Sequence, residues 1–148
     1  MIQPSRIDRE RLDAVDFPIR VDVPIRFNDL DVLGHVNNTA AGVILQEARV
    51  SFSQRAALPT LGAGFRSVVA GMRIEFAVEL HHPGVVEVFM GIVAIGRTSF
   101  TMAQVGRQNG HSALYAEVTL VVSGANGPVP IPDDFLAGIE RLRVATRQ

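Results

Sequence analysis

Residues 39–57 form the one internal stretch of this chain with helical spacing, and they are apolar on too many sides to lie at a surface. Ala41, Ile44, Leu45, Ala48, Phe52 and Ala56 recur at offsets of three and four, and Ala40 and Val43 widen that stripe past half the girth. Such a helix has to be wrapped. Four long strand-like runs come after it, with no second internal helix, so a sheet must do the wrapping.

The strand runs differ in informative ways. Residues 72–80 put Met72, Ile74, Phe76, Val78 and Leu80 on one face and Arg73, Glu75, Ala77 and Glu79 on a wet one. Residues 85–95 are apolar almost throughout, as a central strand covered on both faces requires. Residues 99–108 and 113–122 flank Asn109-Gly110, a strong hairpin signal, and Leu114, Ala116, Val118, Leu120 and Val122 face one way. A first strand at residues 20–27 precedes the helix, its Pro24 marking an edge or a bulge. Asp133 or Asp134 can cap a C-terminal helix whose buried stripe is Phe135, Leu136, Ile139 and Leu142. The expected class is α+β, a long central helix wrapped by an antiparallel sheet of about five strands and followed by a C-terminal helix. A single domain over residues 1–148 is expected, with residues 1–18 as a polar, partly ordered lead-in. Sheet edges of this length are normally covered or paired, so a homodimer joined edge to edge is expected.

Composition removes several function classes. The 14 Lys and Arg residues nearly balance the 15 Asp and Glu, leaving no electrostatic footprint for nucleic acid or an anionic membrane. The chain has no cysteine, which excludes a disulfide framework, a thiolate zinc site and a cysteine nucleophile, and fits a reducing, cytoplasmic compartment. The charged N-terminal segment lacks the apolar core of an export signal, and no apolar run approaches the ~20 residues of a membrane helix.

Chemistry-bearing side chains crowd into Arg26-Phe-Asn-Asp-Leu-Asp-Val-Leu-Gly-His-Val-Asn-Asn38, between the first strand and the helix. A helix N-terminus offers unpaired backbone N–H groups and a positive dipole end to developing negative charge. Asn37 or Asn38 suits the N-cap, Gly34 allows a tight turn, and Asp29 reads as a loop-capping carboxylate that bonds backbone nearby. Gly42 costs up to ~1 kcal/mol against alanine inside a helix, which points to the close approach of another backbone or a ligand. His81 and His82 are adjacent, so on a strand they would point to opposite sides and make no metal site, while His111 beside the hairpin turn reads as exposed.

The same run, followed by Glu47-Ala-Arg49, resembles the signature of the hotdog-fold acyl-CoA thioesterases of the 4-hydroxybenzoyl-CoA thioesterase group. Val93-Ala-Ile-Gly-Arg-Thr-Ser-Phe100 resembles that family's strand with Ile-Gly-x-x-Ser, and residues 116–132 resemble its last strand with a Pro-rich exit. The resemblance implies a hotdog fold and a hydrolase acting on an acyl-CoA or acyl-carrier-protein thioester. It implies no metal and no redox cofactor, coenzyme A entering as part of the substrate, and assembly as a homodimer or dimer of dimers. Asp31, the second acid of the Asp-x-Asp pair, becomes the expected catalytic carboxylate, attacking the thioester carbonyl or acting as base on a water. The backbone N–H of Asn38 is the candidate oxyanion donor, with His35 and Asn37 orienting Asp31, the carbonyl or the water. Gly34, Ala41, Gly42, Arg97 and Ser99 are candidate substrate-binding positions, Arg97 as a partner for a coenzyme A phosphate.

Departures from the family pattern sharpen the reading. Ala41 and Gly42 stand where many relatives carry a tyrosine and its neighbour, which implies a larger acyl pocket. Pro83-Gly-Val-Val86 lacks the acid of the family's Gly-Asp turn. Glu47 is an alternative acid, since some hotdog thioesterases carry theirs on the helix, although it more simply pairs with Arg49 or lies at an interface. Two other functions compete. A hotdog dehydratase or hydratase would use His35 and Glu47, and Gly42-Val-Ile-Leu-Gln-Glu-Ala48 is similar to the helix of those enzymes, but their Pro-rich His loop is absent. A non-catalytic acyl-CoA-binding module would have no need of Asp31.

Overall fold

The computed structural model describes residues 6–147, and its sheet covers one face of the apolar helix, Ala41, Ile44, Leu45, Ala48 and Phe52, but leaves Val43 39% exposed, so the buried stripe is narrower than the pattern suggested. The elements are α1 (Arg9–Asp13), β1 (Val15–Asp16), β2 (Ile19–Pro24), a 3-10 turn at Phe27–Asp29, α2 (Asn38–Arg55), β3 (Arg66–Phe76) and β4 (Val85–Ile95). They continue as β5 (Ser99–Gln108), β6 (His111–Gly124), β7 (Gly127–Pro128), α3 (Asp133–Glu140) and β8 (Ala145–Thr146). An antiparallel sheet runs β2-β4-β5-β6-β3, with short β7 beside β6, while β1 and β8 pair separately. Ala41, Ile44, Leu45, Ala48 and Phe52 of α2 pack against Val86, Val88, Met90 and Ile92 of β4, Met102 of β5, and Leu114 and Ala116 of β6. The small side chains of Ala41 and Ala48, both buried, keep the helix close to the sheet. This is the expected α+β hotdog arrangement, and no helix among the described residues is long and apolar enough to cross a membrane.

One polar side chain sits inside this interface. Gln104 of β5 is fully buried, and its Nε2 donates to the Leu45 carbonyl of α2 at 3.0 Å while its Oε1 accepts from Arg49 Nη1 at 2.9 Å. Burial lowers the pKa of the Arg49 guanidinium, so that acceptor matters. The amide therefore ties the middle of the sheet to the middle of the helix.

The outer face of the sheet is covered too, by residues expected as lead-in. Ile7 and Leu12 pack on Ala103, Val105 and Tyr115, with Phe17 and Val93 alongside. Glu75 accepts the Ile7 N–H at 2.8 Å and Arg9 Nε at 2.9 Å, and Asp13 accepts Tyr115 Oη–H at 2.7 Å. The apolar residues of this strap are spaced among charges, which is why composition hid it; residues 1–5 of the expected lead-in lie outside the described residues.

Other differences concern ends and edges. β3 starts at Arg66 and stops at Phe76, with a register shift between Val69 and Gly71, so Val78 and Leu80 leave the strand. Met72 and Phe76, expected on a covered face, are 50% and 46% exposed because β3 is the sheet edge, which α2 covers only in part. The other edge, β2, is partly blocked: Pro24 has no N–H to offer, and Arg55 Nη1 already donates to the Arg20 carbonyl at 3.0 Å. Asn109 and Gly110 take φ of 52° and 79°, as a tight two-residue hairpin requires. Pro132, not an aspartate, precedes α3, and Asp133 and Asp134 occupy its first turn without a side-chain cap. They favour the helix through its dipole instead.

Two measurements test these contacts. Gln104→Leu should lower stability by about 1–3 kcal/mol, because the half-buried Arg49 guanidinium loses its oxygen acceptor; urea denaturation reads it. The hydrogen bond from the Ile7 N–H, and then the Arg9 guanidinium, hold the Glu75 carboxyl below its ordinary range. A carboxylate with a depressed folded value stabilises the strap above the ordinary carboxylate range and loses that contribution as pH falls through the folded value. Amide-exchange protection at Ile7 and Leu12 should therefore drop on acidification before that of β4 and β5, and equal losses everywhere would contradict this.

Candidate functional site

After β2 the chain makes a small hairpin before α2 begins. Asp29 is buried, with Oδ2 accepting the Arg26 N–H at 2.7 Å and Oδ1 accepting Arg26 Nη2 at 3.1 Å, while its carbonyl accepts the Asn37 N–H at 2.8 Å. It closes the loop, as its spacing suggested, and raises the pKa of the Arg26 guanidinium. Leu30 and Val36 bridge as antiparallel partners, and the Asp31 N–H donates to the His35 carbonyl at 2.8 Å. Gly34 turns the hairpin with φ of 80°, where a side chain would be strained.

Asp31 is held by this turn. Its Oδ1 accepts the Leu33 N–H at 2.9 Å and the His35 N–H at 3.3 Å, and among the described residues its Oδ2 accepts no hydrogen bond. Asn37 is the N-cap of α2, its Oδ1 accepting the Thr39 N–H at 2.8 Å. That oxygen belongs to the helix, so Asn37 acts here as a cap and not as a group reaching for Asp31. Asn38 is the first helical residue, and its N–H has no acceptor within the helix.

These groups border one open cleft of about 340 Å³, lined by Asp31, Leu33, His35, Val36, Asn38 and Ala41 on one side and by Phe76, Ala77, Val78, Glu79, Leu80 and Leu114 on the other. The second wall comes from the end of β3, the β3–β4 connection and the start of β6. The Val36 N–H donates to the Leu80 carbonyl at 3.1 Å and joins the two walls. Beside that bond His35 Nε2 lies 3.0 Å from Glu79 Oε2, and the His81 ring sits edge-on to His35 at 5.6 Å. Glu79 was not foreseen as a site residue. Strict alternation assigned it to the wet face of a strand that ends three residues earlier, at Phe76.

Several expected site residues lie elsewhere in a single chain. Arg97 and Ser99 occupy the β4–β5 turn and the start of β5, where Ser99 pairs with Val121 and the neighbouring Val122 pairs with Ser67 near the start of β3. The cleft is at the opposite end of β3. Glu47 is exposed on α2 and does not border the cleft, so Glu79, and not Glu47, is the carboxylate beside His35. Gly42 is not forced by a nearby backbone: a Cβ there would meet only Ile74 Cδ1, at 3.9 Å. His82 packs edge-on to Phe27 at 6.1 Å, and His81 and the exposed His111 line a neighbouring cleft that shares Glu79 with the first. All four histidines of the chain thus gather at one end of the sheet. Among the described residues no group of three or more acidic, imidazole or thiol side chains is placed to hold a metal ion.

Residues 25–139 match the thioesterase-like superfamily. A thioesterase from Thermus thermophilus, whose crystal structure contains coenzyme A and zinc, is 32% identical over 85% of this chain and 94% of that one, with a TM-score of 0.74. A predicted thioesterase from Bacillus stearothermophilus is 26% identical, covering 84% of this chain and 95% of its own, with a TM-score of 0.75. The match to the uncharacterised protein YsmA of Bacillus subtilis, 23% identical over 84 residues, spans 57% of each chain, a little over half of that curated relative's length.

The free space over Gly42 makes one substitution decisive. Gly42→Ala should stabilise the fold by up to about 1 kcal/mol through helix propensity, seen as a higher urea midpoint. A lower midpoint would mean that a second chain occupies that space in solution.

Proposed function

The chain belongs to the thioesterase-like superfamily, and from that premise we propose that it hydrolyses an acyl-CoA thioester to the free acid and the thiol, with Asp31 as the reacting carboxylate. The observation that carries the proposal is the shared cleft: a carboxylate oxygen that accepts no hydrogen bond among the described residues and a helix-terminal N–H border the same space. Asp31 Oδ2 takes a proton from water as the water oxygen attacks the thioester carbon. The carbonyl oxygen gains negative charge beside the Asn38 N–H, a donor worth roughly 3 kcal/mol in such a step. The C–S bond then breaks and the departing thiolate recovers the proton from Asp31. In the alternative route Asp31 attacks the carbon itself, expelling the thiolate, and water then opens the mixed anhydride; where water adds at the Asp31 carbonyl, a single turnover in oxygen-18 water labels Asp31, which the general-base route never does.

Neither route calls on a metal or a redox cofactor, and the cysteine-free sequence suits a cytoplasmic enzyme. Coenzyme A is favoured as the thiol because the Thermus relative, 32% identical, was crystallised with it. Ala41 borders the cleft and Gly42 follows it on the helix, which suits an acyl group bulkier than a tyrosine at this position would admit.

The working unit is proposed as a homodimer joined along β3, which ends the sheet among the described residues and exposes Val68, Val69, Met72 and Phe76. Antiparallel pairing of two β3 edges would bring the β4–β5 turn of one chain toward the cleft end of the other. Arg97, which makes no ion pair among the described residues, would then approach a coenzyme A phosphate from across the interface.

Asp31→Asn is a clean test, because an asparagine oxygen can still accept the Leu33 and His35 N–H groups and preserve the turn. Against a panel of short, medium, long and aromatic acyl-CoAs its kcat should fall by about 10²-fold or more, with coenzyme A binding and the urea midpoint unchanged. Full hydrolysis by this variant would remove Asp31 from the chemistry, and a loss in Glu47→Gln alone would move the reaction to the helix acid.

A further inference from the structure

We infer that Glu79 is a positioning residue for this reaction, its carboxylate fixing the His35 imidazole at the cleft through Nε2 and leaving Nδ1 as the nitrogen available to substrate or water. The inference rests on the thioesterase reading of the cleft.

Three observations carry it. His35 Nε2 and Glu79 Oε2 are 3.0 Å apart, and both residues line the cleft that holds Asp31 and Asn38. The backbones that bear them are joined one residue further on, by the Val36 N–H donating to the Leu80 carbonyl at 3.1 Å, with Leu80 itself buried. The segment after Glu79 is also locked. Gln108, buried, accepts the His81 N–H at 2.9 Å and donates to the His81 carbonyl at 2.8 Å, and the Ile25 N–H holds the Gly84 carbonyl at 2.9 Å. A Cβ on Gly84 would lie 2.5 Å from Gln108 Nε2, so the connection is packed down on that amide. Glu79 therefore reaches His35 from a fixed base.

The pair is not there for stability. The side chains of His35 and Glu79 are 32% and 59% exposed, and ion pairs in that setting contribute little to folding. What a carboxylate does for an imidazole in such a place is to select its tautomer and hold its ring direction, since the nitrogen that donates to the carboxylate must carry the proton. His35 also gives its backbone N–H to Asp31 at 3.3 Å, so the residue meets one carboxylate through its backbone and another through its ring. The other cleft neighbours on α2 and β6, Asn38, Ala41 and Leu114, carry no charge.

Glu79→Gln and Glu79→Asp, alone and combined with His35→Gln, test this in the full chain. Glu79→Gln should lower kcat about tenfold with KM within about twofold, Glu79→Asp should recover part of the loss, and the urea midpoint should not move. In the His35→Gln background the same change should cost nothing further, because the effect passes through the imidazole. The ring nitrogen-15 resonances of His35 should shift in Glu79→Gln while those of His82, which packs on Phe27 and lines neither cleft, stay. Additive losses in the double variant, or unmoved His35 resonances, would overturn the pairing. A wild-type chain that hydrolyses no thioester would remove the proposed function, and the nitrogen-15 spectrum would still decide whether Glu79 holds His35.

Discussion

Burial of one wide apolar helix face is the constraint on which the rest of the structure depends. Once Ala41, Ile44, Leu45, Ala48 and Phe52 are covered by β4, β5 and β6, the N-terminus of α2 has a fixed position at one end of the sheet. The chemistry can then be assembled from short segments that converge there. The three polar side chains buried among the described residues are Asp29, Gln104 and Gln108, and each secures one of those segments. Asp29 closes the hairpin that carries Asp31, Gln104 ties α2 to the sheet, and Gln108 holds the connection that carries Glu79. Buried polar groups must be satisfied, and here each has at least one backbone partner whose placement shapes the cleft.

Much of this was legible in the residues because periodicity reports burial. The helix, the doubly covered β4, the hairpin at Asn109-Gly110, Pro24 on an edge strand and the structural role of Asp29 all came from local patterns whose physical cause is also local. The failures share the opposite cause. Residues 6–17 looked like a polar lead-in because their few apolar side chains match a face of the sheet far along the chain, at Val93, Ala103, Val105 and Tyr115, which no local pattern reveals. Alternation carried β3 past Phe76 because it cannot see where a strand runs out of partners.

The site shows the same division. Asp31, His35, Asn38 and Ala41 were readable since they lie in one run at a helix start, and the structure gathers them at one cleft. Glu79 was hidden by sequence distance, and Arg97 and Ser99 fall at the far end of β3 in a single chain. Resemblance transfers residues that touch a ligand without saying which copy of the chain supplies them. Gly42 is a milder case: a glycine in a helix reads as a crowding signal, yet the space above it is open.

The two edges of the sheet are chemically unequal, and this sets the valence of the molecule. β2 lacks a free N–H at Pro24 and has already given its Arg20 carbonyl to Arg55, whereas β3 ends the strand order of the described residues with Val68, Val69, Met72 and Phe76 exposed. A ribbon with two open edges could add copies without limit. A dimer joined along β3, as proposed, would leave only the two β2 edges facing outward, so the sheet that makes the cleft would also limit its own polymerisation.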